Sequence, residues 1–270
     1  MCFLQHAVFW QGSYRLFLPC DRITSSHLAY GSPSLEETLG RVKTRVSETI
    51  RTRMAFMALK LFGRKDSVNV QKVMWLLAEL NLDYEQIEKG GKFGGLDEPA
   101  FLAMNPAGRV PVLLDGDHAV FESNAILRYL ATTQPGGEAF YPADPALRGK
   151  IDAQMDFALG TLYPDFVSLF MGVVKTAPAK QNAKAIASAT RRFQSNMLTV
   201  GQTLGDGKWL VGDSITLADI AVGAFMFRFY ALPVIKRHKQ ARVEGWTTRL
   251  LEREAHKTTM GVNFSHMFVD

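Results

Sequence analysis

The stretch from Met57 to Lys89 constrains the fold of this chain more than any other. It places a short apolar segment, "MALKLFG", before a helical pattern over residues 68–81 and a strand-like segment, "DYEQIEK". The apolar side chains of the helical pattern recur at the spacing of one helix face: Val70, Val73, Met74, Leu77 and Leu80. A strand, a helix and a second strand form a βαβ unit, and a right-handed crossover sets the two strands parallel.

The segment that follows predicts a loop and then a β-hairpin. Residues 90–109 begin with four glycines in six positions, and no GK[ST] sequence follows them. We therefore interpret this stretch as a mobile connecting loop with no packing of its own, rather than as a phosphate cradle. The residues "VPVLLDGDHAVF" predict two strands with a turn at Asp115, Gly116 and Asp117. "ESNAILRYLATT" predicts a helix, which completes a small mixed sheet with helices on its faces.

Residues 134–145, "QPGGEAFYPADP", are rich in proline and glycine and indicate a linker between two domains. Beyond this linker no segment predicts a strand. The patterns predict helices over four ranges: 146–174, 179–204, 216–231 and 239–254. The third helix has a clear start, because Thr216 and Asp219 fit a capping box, with Ile215 and Ile220 as its hydrophobic staple.

The first 53 residues differ in composition from the rest of the chain. They hold seven basic and four acidic residues, a net of +3 out of a formal +5 for the 270-residue chain. They lack a basic segment before the apolar start, so they do not fit a secretory signal, and the acidic residues count against a transit peptide. Met54 and Met57 stand directly before the first predicted strand. We expect residues 1–56 to be a poorly ordered extension that the native protein can lack.

Several functional classes are excluded by composition and motifs. The two cysteines, Cys2 and Cys20, both lie in the N-terminal extension, so the body of the protein offers no disulfide framework, CxxC motif or cysteine-ligated zinc site. The histidines show no HExxH spacing, and we expect no metal site. Outside the extension the charge is nearly neutral and no dense basic run occurs, so we expect no nucleic-acid partner. No stretch of about 18 residues is apolar and free of charge, so we expect no membrane-spanning helix.

Three motifs in this order resemble the cytosolic glutathione S-transferases, in particular their bacterial members. They are "NPAGRVPVL" from Asn105, "ESNAILRYL" from Glu122 and "LVGDSITLADI" from Leu210. The resemblance covers roughly residues 57–258. It implies an α/β, thioredoxin-like N-terminal domain at 57–138, an all-α C-terminal helical domain at 143–266, and a homodimer. It also implies that glutathione binds as a cosubstrate, without a further cofactor.

The resemblance assigns a glutathione site to five residues. Pro111 matches a proline that is cis in this fold, which would leave the backbone of Val110 free to pair with the tripeptide like an added strand. Glu122 and Ser123 match the pair that holds the γ-glutamyl end, where Ser123 and free helix amides suit a carboxylate and Glu122 suits the ammonium. The alternative is that Ser123 only caps its helix. Arg109 could reach the glycyl carboxylate, with Lys92 as a weaker candidate.

In this family the start of the first helix faces the glutathione sulfur. A helix N-terminus lowers the pKa of a thiol, and hydroxyl or amide donors there stabilise the thiolate. This segment has no Cys or Tyr, but Ser67 falls where serine-using classes keep their hydroxyl, and Asn69 falls where cysteine-using classes keep their thiol. Both are candidate catalytic residues, with Ser67 expected to contribute more. Their alternative role is helix capping, which is compatible with thiolate binding.

The function implied is a cytoplasmic, detoxifying glutathione transferase whose bound thiolate attacks a hydrophobic electrophile. Five side chains are candidate linings of the electrophile site, with ordinary helix core as their alternative: Phe157, Leu162, Tyr163, Phe166 and Phe170. One rival function is a glutathione-dependent disulfide or peroxide reductase on the same scaffold. A second is a non-catalytic binding protein that keeps the fold.

Overall fold

A four-stranded mixed sheet forms the first half of the described structure. The computed structural model describes residues 59–233, 235–261 and 264–269, so the predicted extension at 1–56 lies outside the described residues. The strands are β1 (Leu59–Phe62), β2 (Tyr84–Ile87), β3 (Val112–Asp115) and β4 (His118–Phe121). Their order is β2-β1-β3-β4; β1 and β2 run parallel, whereas β3 is antiparallel to β1 and β4. The predicted βαβ unit and hairpin are confirmed.

Two long helices of this half pack against each other, and a short one lies between β2 and β3. They are α1 (Val68–Glu79), α2 (Pro99–Met104) and α3 (Ser123–Thr133). Helix α1 is apolar over most of its circumference, and nine of its twelve residues are buried. A helix that is apolar all round has to be covered on every side. In α1 the side chains of Val70, Trp75 and Leu76 are completely inaccessible to solvent.

The glycine-rich stretch is more ordered than the sequence predicts. Its first glycines form a 3₁₀ turn (Gly91–Phe93), but the second part forms helix α2, which has Pro99 in its first turn. The side chain of Phe101 is 1% exposed, and its ring meets that of Phe62 edge-on at 6.4 Å. The prediction of a loop with no packing of its own is therefore wrong for this part, because one aromatic anchor suffices to dock a short helix.

The second half of the described chain is helical, and its residues contain no strand beyond β4. The helices are α4 (Pro145–Phe157), α5 (Tyr163–Val174), α6 (Ala183–Leu204), α7 (Leu217–Gly223), α8 (Met226–Ala231), α9 (Ala241–Leu251) and α10 (Glu254–Thr259). A π-helical turn, Ala158–Leu162, joins α4 to α5 where a single helix was predicted. Pro164 lacks the amide that would bond the carbonyl of Gly160, so the regular pattern is interrupted there.

The run from Pro145 to Val174 is long and apolar enough to cross a membrane, by length and composition only. Among the described residues it is the one run that meets this criterion. Its side chains Phe166 and Leu169 are buried in the helical core. The carboxylate of Asp165 accepts a hydrogen bond from Arg192 Nε of α6 at 2.7 Å. About 33% of the most apolar segment of this run is buried inside the described chain.

The predicted capping box holds the centre of the helical half. The backbone amide of Thr216 donates to the carboxylate of Asp219 at 2.9 Å, and the other carboxylate oxygen accepts from Leu210 N and Trp246 Nε1, both at 2.9 Å. Asp219 is fully buried, and burial raises its pKa, while these three hydrogen bonds and a fourth from the Thr216 hydroxyl act to lower it. The start of α7 is thereby fixed to α9 and to the loop before it.

A polar cluster joins α1 to the last helix of the described chain. Arg253 forms two hydrogen bonds of 2.6 Å with the carboxylate of Glu79, which also accepts from Trp75 Nε1 at 2.9 Å. His256 packs edge-on against Trp75 at 4.8 Å, is 1% exposed, and its Nε2 has no hydrogen-bond partner. Burial lowers the pKa of His256 to about 4, and the nearby charge of Glu79 opposes that change.

This histidine predicts a loss of stability in mild acid. Its pKa is 6.5 when unperturbed and about 4 in the folded chain, so the unfolded chain binds the proton first as pH falls through that window. The contribution of neutral His256 to the free energy of unfolding is therefore complete above pH 6.5 and decreases as pH falls toward 4. The decrease between pH 7 and pH 5 is about 2 kcal/mol. Denaturant unfolding of wild type and His256→Phe at both pH values measures it. An equally steep loss in His256→Phe would contradict the assignment.

Candidate active site

A cavity of about 420 Å³ opens where the starts of α1 and α3 meet the loop before β3. All seven site residues predicted from the sequence line it. Its described lining consists of Arg64, Ser67, Asn69, Leu96, Asn105, Arg109, Val110, Pro111, Glu122, Ser123, Leu159 and Tyr163. Two helix N-termini face one cavity, so their free amides and dipoles both favour a negatively charged ligand there.

Ser67 occupies the N-cap position of α1 without acting as a side-chain cap. Its backbone is extended, with φ −79° and ψ 123°, and its carbonyl accepts from Gln71 N at 2.9 Å. Its hydroxyl makes no capping hydrogen bond to the helix. The hydroxyl therefore remains available to a ligand in the cavity, and the simple capping interpretation does not account for this side chain.

Asn69 and Ser123 meet across the cavity floor. The hydroxyl of Ser123 is placed to donate to Asn69 Oδ1 at 3.5 Å, a long and weak hydrogen bond. Ser123 is the first residue of α3 and is 3% exposed, whereas Asn69 is half-buried. The two helix starts are thus in direct contact, and the amide nitrogen of Asn69 is left as a donor.

Glu122 precedes α3 in a backbone conformation that glutamate rarely adopts. Its φ is +69°, and it stands as the N-cap residue, with its carbonyl accepting from Ile126 N at 2.9 Å. A positive φ at a residue with a Cβ costs about 1–3 kcal/mol and concentrates at functional sites. No hydrogen bond or ion pair within the described chain engages the exposed carboxylate, although its charge acts on the buried Lys72. This geometry points an acidic group at the cavity mouth.

The loop before β3 contains the predicted cis bond, between Val110 and Pro111. Pairing of β3 with β1 begins at Val112, so the backbone of Val110 lies beyond the ladder. Gly63, at the end of β1, has φ +149°, and a Cβ on it would lie 2.5 Å from Val70 Cγ2 and 3.1 Å from Val110 Cβ. Only glycine lets α1 and this loop approach so closely.

Asn105 shapes the loop from inside and was not predicted as a site residue. It is 2% exposed; its Nδ2 donates to the carbonyl of Arg109 at 2.8 Å, and its Oδ1 accepts from Ala107 N at 3.0 Å. These bonds fix the turn that presents Arg109, whose own side chain is exposed. The sequence signal that could have identified this turn is the pair Asn105-Pro106, because Asn-Pro pairs favour turns. Lys92 does not line the cavity and lies over the ring of Phe93.

The helical half contributes fewer cavity residues than predicted. Tyr163 lines the cavity as expected, and Leu159, which the sequence did not single out, lies beside it in the π-helical turn. Three of the other candidates, Leu162, Phe166 and Phe170, are buried in the core and are absent from the described lining. Helical spacing could not separate the two roles because both faces of this helix are apolar.

Beneath the start of α3 lies a buried lysine. Lys72 Nζ donates to Asn124 Oδ1 at 2.8 Å, and Asn124 Nδ2 donates to the carbonyl of Met155 at 2.8 Å. Lys72 is completely inaccessible to solvent. Burial lowers its pKa to about 7, while the charge of Glu122 acts to raise it and that of Arg128 to lower it. This chain of contacts joins α1, α3 and α4.

Two family models match the chain over most of the described region. The model described as glutathione S-transferase, N-terminal domain, matches residues 57–132, and that described as glutathione S-transferase, C-terminal domain, matches residues 151–254. The chain belongs to the glutathione S-transferase family. Individual members agree with this: glutathione S-transferase GstB of Escherichia coli is 36% identical over 199 residues, which are 73% of this chain and 95% of that protein.

Solved structures of glutathione S-transferases share the fold. A theta class glutathione S-transferase from Xanthomonas axonopodis pv. citri, with glutathione bound, has a TM-score of 0.72 and 36% identity, covering 76% of this chain and 98% of that one. A further relative, matched by sequence alone, is glutathione S-transferase 3 of Zea mays, which is 32% identical over 171 residues, 60% of this chain and 73% of that protein. The predicted thioredoxin-like domain followed by a helical domain is thereby confirmed.

Metal-binding side chains do not cluster in this site. Within the described ranges, no group of three or more His, Cys, Asp or Glu side chains is placed to hold a metal ion. The ionisable groups at the cavity are instead the cations of Arg64 and Arg109 and the carboxylate of Glu122. The cavity thus presents both signs of charge to a ligand.

The buried lysine predicts an alkaline gain in stability. The pKa of Lys72 is about 7 in the folded chain and 10.5 when unperturbed. Below pH 7 the buried side chain is charged and destabilises the native state most, and this destabilisation decreases as the side chain loses its proton at higher pH. The difference in free energy of unfolding between wild type and Lys72→Met should therefore shift in favour of wild type by roughly 2–3 kcal/mol between pH 6 and pH 9. Denaturant unfolding without ligand measures this difference, and Lys65→Met, at an exposed position, is the matched control. A difference that stays constant with pH would refute it.

Proposed function

We propose that this chain is a glutathione transferase, which binds glutathione in the 420 Å³ cavity and activates its thiol for attack on a hydrophobic electrophile. One observation carries the proposal. The hydroxyl of Ser67, at the start of α1, makes no capping bond and lines the same cavity as Ser123 and Glu122 at the start of α3. A donor for the sulfur and a site for an amino acid end therefore stand in one cleft.

The γ-glutamyl end of glutathione is assigned to the start of α3. Its α-carboxylate accepts hydrogen bonds from the hydroxyl of Ser123 and from free backbone amides of the first turn, aided by the helix dipole. Its α-ammonium pairs with Glu122, whose exposed carboxylate faces the cavity. Below pH 7 the ammonium of Lys72, which donates to Asn124 beside Ser123, adds positive potential behind the carboxylate.

The rest of the tripeptide is assigned to the loop before β3. The backbone N–H and C=O of Val110, beside the cis bond to Pro111, pair with the cysteinyl backbone in the manner of an added strand. Arg109 is exposed and lines the cavity, within reach of the glycyl carboxylate. The side chain of Asn105 holds the carbonyl of Arg109 and thereby orients this part of the loop.

The reaction uses the nucleophile of the cosubstrate rather than one of the protein. At the start of α1, Ser67 donates its hydroxyl proton to the sulfur and Asn69 donates from its amide nitrogen. These bonds and the helix dipole favour the thiolate over the thiol. The thiolate then attacks an electrophile seated between this site and the apolar side chains of Leu96, Leu159 and Tyr163.

The wider proposal follows the family. The protein acts as a cytoplasmic, detoxifying homodimer, without metal, nucleic acid or membrane as a partner. Its domains are 57–138 and 143–266, with residues 1–56 as an extension that neither domain needs. Large apolar side chains remain exposed on the N-terminal half, Leu102 at 37% and Phe121 at 40%, and they give a second subunit a surface to cover.

Three measurements separate this proposal from its rivals. Conjugation of a halonitroarene tests the transferase, and reduction of a model disulfide tests a reductase in which two glutathiones exchange with the substrate. Calorimetry with glutathione tests binding by itself. Conjugation with little disulfide reduction supports the proposal, and the reverse ratio favours the reductase. Binding without either activity favours a non-catalytic member of the fold.

Replacing the donors at the start of α1 tests the thiolate assignment. Ser67→Ala should raise the pKa of bound glutathione, move the pH profile of turnover to higher pH and slow conjugation at neutral pH. Asn69→Ala should do the same to a smaller extent, because its amide donates from within the first turn of α1, whereas the Ser67 hydroxyl stands at the N-cap. Each unit of pKa is worth about 1.4 kcal/mol between thiol and thiolate.

Ser123→Ala is the matched comparison, because Ser123 lines the same cavity but is assigned to the other end of glutathione. It should weaken glutathione binding by about 1–3 kcal/mol and leave the pH profile in place. An unmoved profile in the Ser67→Ala, Asn69→Ala double variant would contradict the role of both side chains and leave the backbone amides as the only donors.

A further inference from the structure

Arg228 brings a buried cation from the helical half to the start of α1. It lies in α8 and is 3% exposed, yet it forms no ion pair among the described residues. Its Nη2 donates to the carbonyl of Asp66 at 2.6 Å and to Gln71 Oε1 at 2.8 Å. A charge in such a position is expensive to bury, so its retention calls for a functional reason.

The surroundings of Arg228 fix the guanidinium in place. It lies over two aromatic rings, those of Phe170 at 5.5 Å and Phe264 at 5.4 Å. Burial lowers the pKa of Arg228 to about 10; the charge of Asp66 acts to raise it and that of Arg64 to lower it. With a pKa near 10, Arg228 stays protonated at neutral pH.

The carboxylate nearest to this cation is directed elsewhere. Asp66 uses its backbone carbonyl toward Arg228, while its carboxylate lies 2.8 Å from Arg64 Nε and 3.2 Å from His266 Nε2. Among the described residues Arg228 therefore has no direct carboxylate partner, and because it is buried, water and salt screen its charge less than that of a surface residue.

The two bonds of Arg228 bracket Ser67. Asp66 immediately precedes Ser67, and Gln71 donates its backbone amide to the carbonyl of Ser67 at 2.9 Å. The guanidinium thus holds both Asp66, which precedes Ser67, and Gln71, which donates to the carbonyl of Ser67. A shift of Arg228 would move the hydroxyl of Ser67 and the free amides of the first turn together.

We infer that Arg228 is a positioning residue for glutathione activation: it fixes the Asp66–Ser67 backbone against α1 and places a buried positive charge behind the bound thiolate. The inference rests on the proposed function, because it assigns the sulfur to Ser67. Arg228 acts through the helix start and touches neither glutathione nor the electrophile. It explains why a residue of the helical half enters the core of the glutathione-binding half.

The thiolate titration of bound glutathione tests this inference in the full-length protein. The readout is the ultraviolet absorbance of the thiolate against pH, with the S-methylglutathione complex as blank. Arg228→Met should raise the titration midpoint by about one pH unit. At neutral pH, kcat/KM for conjugation should fall about tenfold, carried mainly by kcat. Arg228→Lys keeps the charge but lacks the planar guanidinium that lies over Phe170 and Phe264, so it should restore part of each effect.

Arg237→Met is the matched control. Arg237 also lies over an aromatic ring, that of Phe229 at 5.7 Å, and donates to the carbonyls of Phe229 and Leu232, but it has no contact with α1 in the described chain. It should leave the titration midpoint unchanged. If Arg228→Met does not fold, Arg228→Lys decides the matter by the same midpoint and by kcat.

The outcomes separate the inference from the function beneath it. A wild-type protein that binds glutathione without lowering its thiol pKa overturns both. If wild type lowers the thiol pKa and Arg228→Met lowers it equally, the role of Arg228 alone is overturned. If Arg228→Met does not fold, a midpoint and kcat equal to those of wild type in Arg228→Lys overturn that role instead. An equal shift in Arg237→Met also overturns it, because the effect would then be a general response to loss of a cation near α8.

Discussion

Burial of helix α1 between the sheet and the helical half is the constraint on which the candidate site depends. Nine of its twelve residues are buried, and both halves of the described chain contribute to covering it. At its far end Glu79 is held by Arg253, and in its middle Lys72 reaches Asn124. At its start Arg228 holds the carbonyl of Asp66. Such a helix cannot shift without disturbing all three contacts, so its first turn is a rigid platform.

Rigidity matters because the proposed chemistry relies on small distances. A hydroxyl stabilises a thiolate only if it lies within hydrogen-bond reach, and pre-organised donors do not have to reorganise as the charge develops. Two buried basic side chains lie behind the two helix starts, Lys72 against Asn124 of α3 and Arg228 against the carbonyl of Asp66 before α1. They reduce stability, since each ammonium or guanidinium loses water on folding. In return they favour an anionic ligand at the place where two helix starts converge.

Much of this site was predictable from sequence because its residues lie in local motifs. Ser67, Val110 and Ser123 each stand in a short segment whose pattern fixes both the local structure and the direction of the side chain. The resemblance to the glutathione S-transferases then placed these segments around one ligand, and the cavity unites them. The order of strands followed from the βαβ crossover and the hairpin turn, which are also local features.

The parts that were missed depend on long-range contacts. Arg228 is separated from Asp66 by 162 residues, and no pattern near either one signals that they meet. Phe101 looked like one residue of a loop because the aromatic partner that anchors it, Phe62, lies on another element. The π-helical turn that brings Leu159 to the cavity interrupts what the apolar pattern presents as one continuous helix.

The position of the glutathione sulfur tests the central claim most directly. A crystal structure of the full chain with glutathione bound would locate it. We predict the sulfur within hydrogen-bond distance, about 3.5 Å, of Ser67 Oγ, with the γ-glutamyl carboxylate at Ser123. Glutathione bound elsewhere, for example in the separate cavity beside Gln194 and Lys236, or with its sulfur directed away from the start of α1, would contradict the account.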